Sequence, residues 1–143
     1  MGKGKKISKR IYLGTIQAKE TILKMTTQQK KRKLTLQLEK KWFNICMDKA
    51  NGQCELCGKP AVQVHHFFPK GSYGYLRFNV ENGVALCQKC HLSIHLRHAP
   101  LEVEIVKKRG QKWYDRLKGI ADSAPPSYYT LGWLESIKKE LDE

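Results

Sequence analysis

The chain has 143 residues, with 27 Lys and Arg against 13 Asp and Glu, for a formal charge of +14. A domain of this length buries only about two-thirds of its unfolded surface, so extra fastening helps, and the charge suits a polyanionic partner. No window approaches the roughly 20 apolar residues of a membrane span, and the N-terminus lacks the apolar stretch of a secretory signal, so a protein of the cytoplasm is expected.

Residues 1–41 carry 13 basic and 2 acidic side chains, and the rest of the chain carries 14 and 11. The runs Lys3-Gly4-Lys5-Lys6, Lys9-Arg10 and Lys30-Lys31-Arg32-Lys33 suit phosphate neutralisation with counterion release, which predicts binding that weakens steeply with salt. Residues 1–33 are therefore expected to form a basic arm. Over 34–50, Leu34, Leu38, Trp42, Ile45 and Cys46 recur at spacings of three and four, predicting a helix that stops at Asn51-Gly52. Cys46 lies on its apolar side and reads as a small buried hydrophobe.

From Gln53 the texture changes to Cys, His, Gly and short strand-like runs such as Val62-Gln63-Val64, broken by Pro69 and Gly71. Residues 34–100 are expected to form one core. A C-terminal extension over 101–143 follows, its first helical stretch interrupted at Gly110 and ended by Ala124-Pro125-Pro126-Ser127. Leu131, Leu134, Ile137 and Leu141 then form the stripe of a last helix, capped by Thr130, which packs on the core or on a second copy.

The strongest chemical signal is cysteine spacing. Cys54-Glu55-Leu56-Cys57 and Cys87-Gln88-Lys89-Cys90 each offer two thiolates from a tight turn, and Gly58 follows the first where a knuckle needs unusual dihedrals. In a reducing compartment such pairs hold a metal rather than form disulfides. Four sulfurs close a tetrahedron around zinc, so the site is structural and its binding energy is folding energy. The 29 residues between Cys57 and Cys87 form an insert. It holds Val62-Gln63-Val64-His65-His66-Phe67-Phe68-Pro69 and then Asn79-Val80-Glu81-Asn82-Gly83, and the second cysteine pair leads into His91 and His95.

This pattern resembles the HNH endonucleases, the His-Me finger or ββα-metal group, in their zinc-stapled form. The resemblance covers about residues 42–98 and implies an α+β fold: a ββα-metal core with a four-cysteine structural zinc site, flanked by N- and C-terminal helices. It implies that His66 is the general base, that His65 and His91 bind a catalytic divalent ion with His95 as a further ligand one turn on, and that Asn82 pins the loop holding the base. The ion is Mg, Mn, Ni, Co or Zn; an imidazole at 65, where many relatives have Asp, shifts preference toward the borderline ions. Asn79 is a second candidate for the orienting amide. His98, just before Ala99-Pro100, reads as a helix-terminal residue.

The physics of these residues agrees with the name. Phosphodiester hydrolysis needs a base for water and a cation for charge developing on the phosphoryl and leaving oxygens. Neighbouring strand residues point to opposite faces, so His65 and His66 share a site only where the strand bends or ends. A neutral imidazole serves as base near pH 7 if its other nitrogen is fixed, and a carbonyl can fix it. Lys70, Arg77, Lys89 and Arg97 flank the centre and are candidate DNA-phosphate contacts, as are Tyr73 and Tyr75.

The expected function is metal-dependent DNA cleavage, nicking or double-strand, by a monomer or homodimer. The resemblance also implies a phage source, with packaging or recombination proteins as partners. A further likeness to NinG-type recombination nucleases leaves branched DNA as an alternative substrate. The rival of another class is a non-catalytic zinc-knuckle DNA-binding protein, which leaves the His65-His66 pair unexplained. A zinc deaminase lacks its H-x-E element here, and a zinc protease its H-E-x-x-H.

Overall fold

The computed structural model describes residues 4–97 and 99–143, with side chains described over 14–96 and 102–143. Two helices come first, α1 (Gly4–Lys24) and α2 (Thr27–Lys49). The expected basic arm is thus helical over most of its length, and α2 begins seven residues before the helix read from the apolar spacing. The reason is local: Thr26 Oγ1 accepts from the Gln29 N–H (3.2 Å), and Gln29 Oε1 accepts from the Thr26 N–H (2.9 Å). That capping box satisfies two orphan donors and starts the helix inside the polar run. The end of α2 at Lys49, just before Asn51-Gly52, is as expected.

Strands β1 (Gln63–His66) and β2 (Gly83–Leu86) form an antiparallel pair, in register Gln63 to Leu86, Val64 to Ala85, His65 to Val84 and His66 to Gly83. Between them lie two 3-10 turns, Gly74–Leu76 and Val80–Asn82. Helix α3 (Gln88–Arg97) follows at once, and α4 (Ala99–Arg109), α5 (Gln111–Asp122) and α6 (Leu131–Asp142) complete the chain. Gly110 separates α4 from α5, and Thr130 caps α6 by accepting from the Trp133 N–H (3.1 Å). The architecture is the expected α+β one, a two-stranded sheet among helices with four cysteines clustered beside it. No helix among the described residues is long and apolar enough to cross a membrane.

Two apolar clusters hold these elements. One joins Leu38, Trp42 and Cys46 of α2 to Phe78 and to Leu134 of α6, so the C-terminal stripe packs within the chain. The other lies under the hairpin: Phe67, Phe68, Leu76, Val84, Leu86 and Ile94 pack with Ile105, Trp113 and Leu117 from α4 and α5. Burying each of these large side chains contributes about 1.5–3 kcal/mol relative to leaving it in water.

Helix α2 meets the hairpin at Gly83. A Cβ there would collide with Cys46 Sγ and lie 2.9 Å from Trp42 Cζ2 and 3.1 Å from Val64 Cγ1. All three neighbours are held in a packed cluster and cannot swing away. The substitution Gly83→Ala is expected to cost about 1–3 kcal/mol, read as a lowered Tm in thermal denaturation. An unchanged Tm would mean that α2 sits farther from β2 than described.

Candidate active site

The ligand sulfurs of Cys54, Cys57, Cys87 and Cys90 all lie within 4.8 Å of one another, and Cys57 Sγ is 3.5 Å from Cys87 Sγ. A tetrahedral zinc with Zn–S bonds of about 2.3 Å requires sulfurs about 3.8 Å apart, so the donor set fits that ion. The first knuckle closes through Cys54 N–H to Lys59 O (2.7 Å) and Gly58 N–H to Cys54 O (2.9 Å), with Gly58 at φ +76°, which a side chain would strain. The second opens α3. There the Cys90 N–H donates to Cys87 Sγ (3.4 Å) and draws that thiol down to about 7, toward the thiolate a metal needs.

Arg109, at the end of α4, ties the first knuckle to the hairpin. Its guanidinium pairs with the Glu55 carboxylate and donates to the Glu81 carbonyl (2.7 Å) and the Gly83 carbonyl (2.7 Å). It also lies 4.9 Å over the Trp113 ring. A lone Arg in a Lys-Lys-Arg run gives no sign of this clamp; only its place before Gly110 hints that the chain turns there.

The second cluster is built of imidazoles. His65 on β1 and His91 and His95 on α3 present ring nitrogens within 4.8 Å of one another, with His91 Nε2 and His95 Nε2 3.1 Å apart. Their spacing follows from the fold: α3 sets His91 above His95 at i, i+4, and β2 delivers α3 alongside β1. Burial, with the neighbouring rings, pushes His65 down to about 4, and burial lowers His91 too, so both rings favour the neutral form that a metal ligand needs. Three imidazoles suit a borderline divalent ion such as Zn, Ni, Co or Mn.

His66 sits beside this cluster but faces the other way, as strand alternation requires. Its ring stacks on Trp42 of α2 (centroids 4.2 Å apart, planes 10° apart), and its Nε2 lies 2.9 Å from the Arg77 carbonyl oxygen. A carbonyl only accepts, so the neutral ring carries its hydrogen on Nε2 and keeps the lone pair on Nδ1. Burial holds its pKa below the usual histidine value, against the pull of that carbonyl. Because β1 ends at His66, both histidines line one cleft of about 460 Å³, with Pro69, Lys70, His91 and His95.

Asn82 is fully buried. Its Oδ1 accepts from the Phe68 N–H (2.8 Å), and its Nδ2 donates to the carbonyls of Phe68 (3.1 Å) and Leu76 (3.3 Å). One amide thus bridges the segment after β1 and the turn before Arg77. Asn79 instead caps the second 3-10 turn and offers its carbonyl to Trp42 Nε1 (2.9 Å). Cys46 is buried against Gly83 and its thiol is pushed up to about 12 by burial, the inert state expected of it.

The candidate phosphate contacts divide. Lys89 is exposed on α3. Lys70 and Arg77 both bond the Glu39 carboxylate of α2, at 3.2 Å for Lys70 Nζ and 3.1 Å for Arg77 Nε. Burial acts to raise the Glu39 carboxyl, and its bonds to Arg77 and Lys70 outweigh this and hold it low. The side chain of Arg97, and His98, lie outside the described residues. Tyr73 packs against Phe68, and Tyr75 against Tyr128 and Trp133, so both rings serve packing. Glu39 and Trp42 are the contributors that sequence reading missed: Trp42 passed for plain core, and Glu39 is an acid among the lysines of a basic helix.

Fold and site define the small-sheet ββα class, with four cysteines clustered at metal-binding distance beside its hairpin. Within that class, residues 54–97 match the family model described as HNH endonuclease. The "Mitochondrial DNA mismatch repair protein mutS homolog" of Sarcophyton glaucum is 46% identical over 46 residues, covering 29% of this chain and 5% of the relative. A phage source, expected from the resemblance, is not borne out by that match. No solved structure matches the chain.

Proposed function

We propose that the protein is a metal-dependent DNA endonuclease, with His66 as general base and a divalent ion at His65, His91 and His95. The observation that carries the reading is the pairing of two features on one cleft: three imidazoles grouped at ligand distance, and beside them a fourth whose Nε2–H is committed to a carbonyl. Its Nδ1 makes no hydrogen bond among the described residues and is the nitrogen that takes a proton.

In this mechanism His66 Nδ1 accepts a proton from water as the water oxygen bonds to phosphorus. The bond from phosphorus to the leaving sugar oxygen then breaks, and that oxygen is protonated from solvent. The ion, when bound, supplies neutralisation of charge on the phosphoryl and leaving oxygens. Asn82 holds the loop on which the base depends, and zinc in the four cysteines holds the hairpin. Lys70, Arg77, Lys89 and Arg97 grip the backbone on either side of the cut, while residues 1–33 act as a basic arm beside the core over 34–100 and the extension over 101–143. The enzyme works in the cytoplasm as monomer or homodimer. The relative's name also concerns DNA.

The test is incubation of supercoiled plasmid with the purified chain, with and without added Mg, Mn, Ni, Co or Zn. Nicked or linear product only with added ion is expected. Intact plasmid under every ion, with duplex still bound, would instead favour the non-catalytic DNA-binding reading.

A further inference from the structure

Glu39 lies on α2, outside the matched residues 54–97, and bonds both Lys70, which lines the cleft, and Arg77. Its carboxylate takes both cations at once. Through Arg77 it reaches the base: the same residue whose guanidinium bonds Glu39 offers its main-chain carbonyl to His66 Nε2. The segment around that carbonyl is pinned from inside by Asn82 Nδ2 on the Leu76 carbonyl and by Trp42 Nε1 on the Asn79 carbonyl. Glu39 pins it from outside.

We infer that Glu39 is a positioning residue for the base, acting through Arg77, and that its carboxylate also competes for Lys70 and Arg77 with the backbone phosphate that they grip. This rests on the nuclease reading above. The two roles pull in opposite directions, which is what makes them separable. Loss of the carboxylate frees the Arg77 segment and lets the His66 ring leave its single tautomer, so the reaction slows. The same loss removes a negative charge beside two cations, so duplex binding holds or tightens. An ion pair that merely stabilised the fold would move neither quantity that way. Trp42 completes the arrangement by covering one face of the ring, so that α2 supplies both the wall and the outer anchor of the base.

The test compares the full chain with Glu39→Ala and Glu39→Gln by three readouts: plasmid cleavage rate at saturating protein and ion, Kd for a labelled duplex without added ion, and the imidazole ¹⁵N spectrum of His66. Expected for Glu39→Ala are a cleavage rate down about 10- to 100-fold, a Kd unchanged or tighter, and a mixture of His66 tautomers in place of Nε2–H alone. Glu39→Gln, which keeps an acceptor oxygen, falls between. An unchanged rate with an unchanged ring spectrum overturns the inference. So does a rate that falls in step with weaker binding while the ring spectrum stays as in the wild type, since Glu39 would then build a binding surface only. If the wild type cleaves nothing, the nuclease reading fails by itself, and the ring spectrum still decides whether Glu39 holds His66.

Discussion

Replacing His66 with alanine is expected to lower plasmid cleavage by about 10²- to 10⁴-fold at saturating ion, the range a positioned general base contributes. Duplex affinity and bound zinc are expected to stay, because His66 belongs to neither metal cluster and bonds only one carbonyl. The informative contrast is with His65→Ala. His65 is the neighbour in sequence, yet its ring faces His91 and His95, with centroids 5.7 and 5.8 Å away. Its loss removes one of the three proposed ligands, so the ion concentration giving half-maximal cleavage is expected to rise, with part of the activity returning with excess ion. His66→Ala lowers the plateau, and no amount of ion restores it. Equal plateaus for wild type and His66→Ala would remove His66 from the role of base.

That two adjacent histidines face different neighbours follows from strand geometry, and this much was legible in the sequence. A period of two sends neighbours to opposite faces, and the end of β1 at His66 lets both reach one cleft. The four cysteines, the imidazole on the first turn of α3 and the buried Asn82 were legible for a similar reason: each sits in a short motif whose spacing is fixed by local backbone. What was not legible came from residues brought together over long separations. Glu39 meets Arg77 across 38 positions and Arg109 meets Glu55 across 54, and an isolated charge in a helix carries no mark of its partner. The beginning of α2 was missed for a different reason. Its apolar face starts at Leu34, whereas the helix starts where Thr26 and Gln29 satisfy its first donors.

If the four cysteines hold zinc as proposed, its removal, by Cys54→Ala or by chelation, is expected to have the largest effect on the fold. A structural zinc in small domains contributes about 10–16 kcal/mol at neutral pH, against a total stability of roughly 5–15 kcal/mol. The loss should be uneven along the chain. Cys54 is buried in the cluster beneath the hairpin, and the first knuckle is joined to β2 by the Glu55 N–H on the Ala85 carbonyl (3.0 Å) and by Arg109. Without the ion, Glu55 no longer has a fixed place, and the clamp that holds the Glu81 and Gly83 carbonyls loses its counter-charge. The second cluster contains none of the four ligand cysteines: Leu38, Trp42, Cys46 and Leu134 join α2 to α6 through side chains alone. Hydrogen exchange after chelation should therefore accelerate first across residues 53–97, with α2 and α6 retaining protection until Phe78 and Val64 are withdrawn from their interface. Cleavage should vanish with the hairpin, since β1 and α3 can no longer bring His65 to His91. Uniform protection and undiminished cleavage in a zinc-free chain would mean that packing alone, without the four thiolates, holds the imidazoles together.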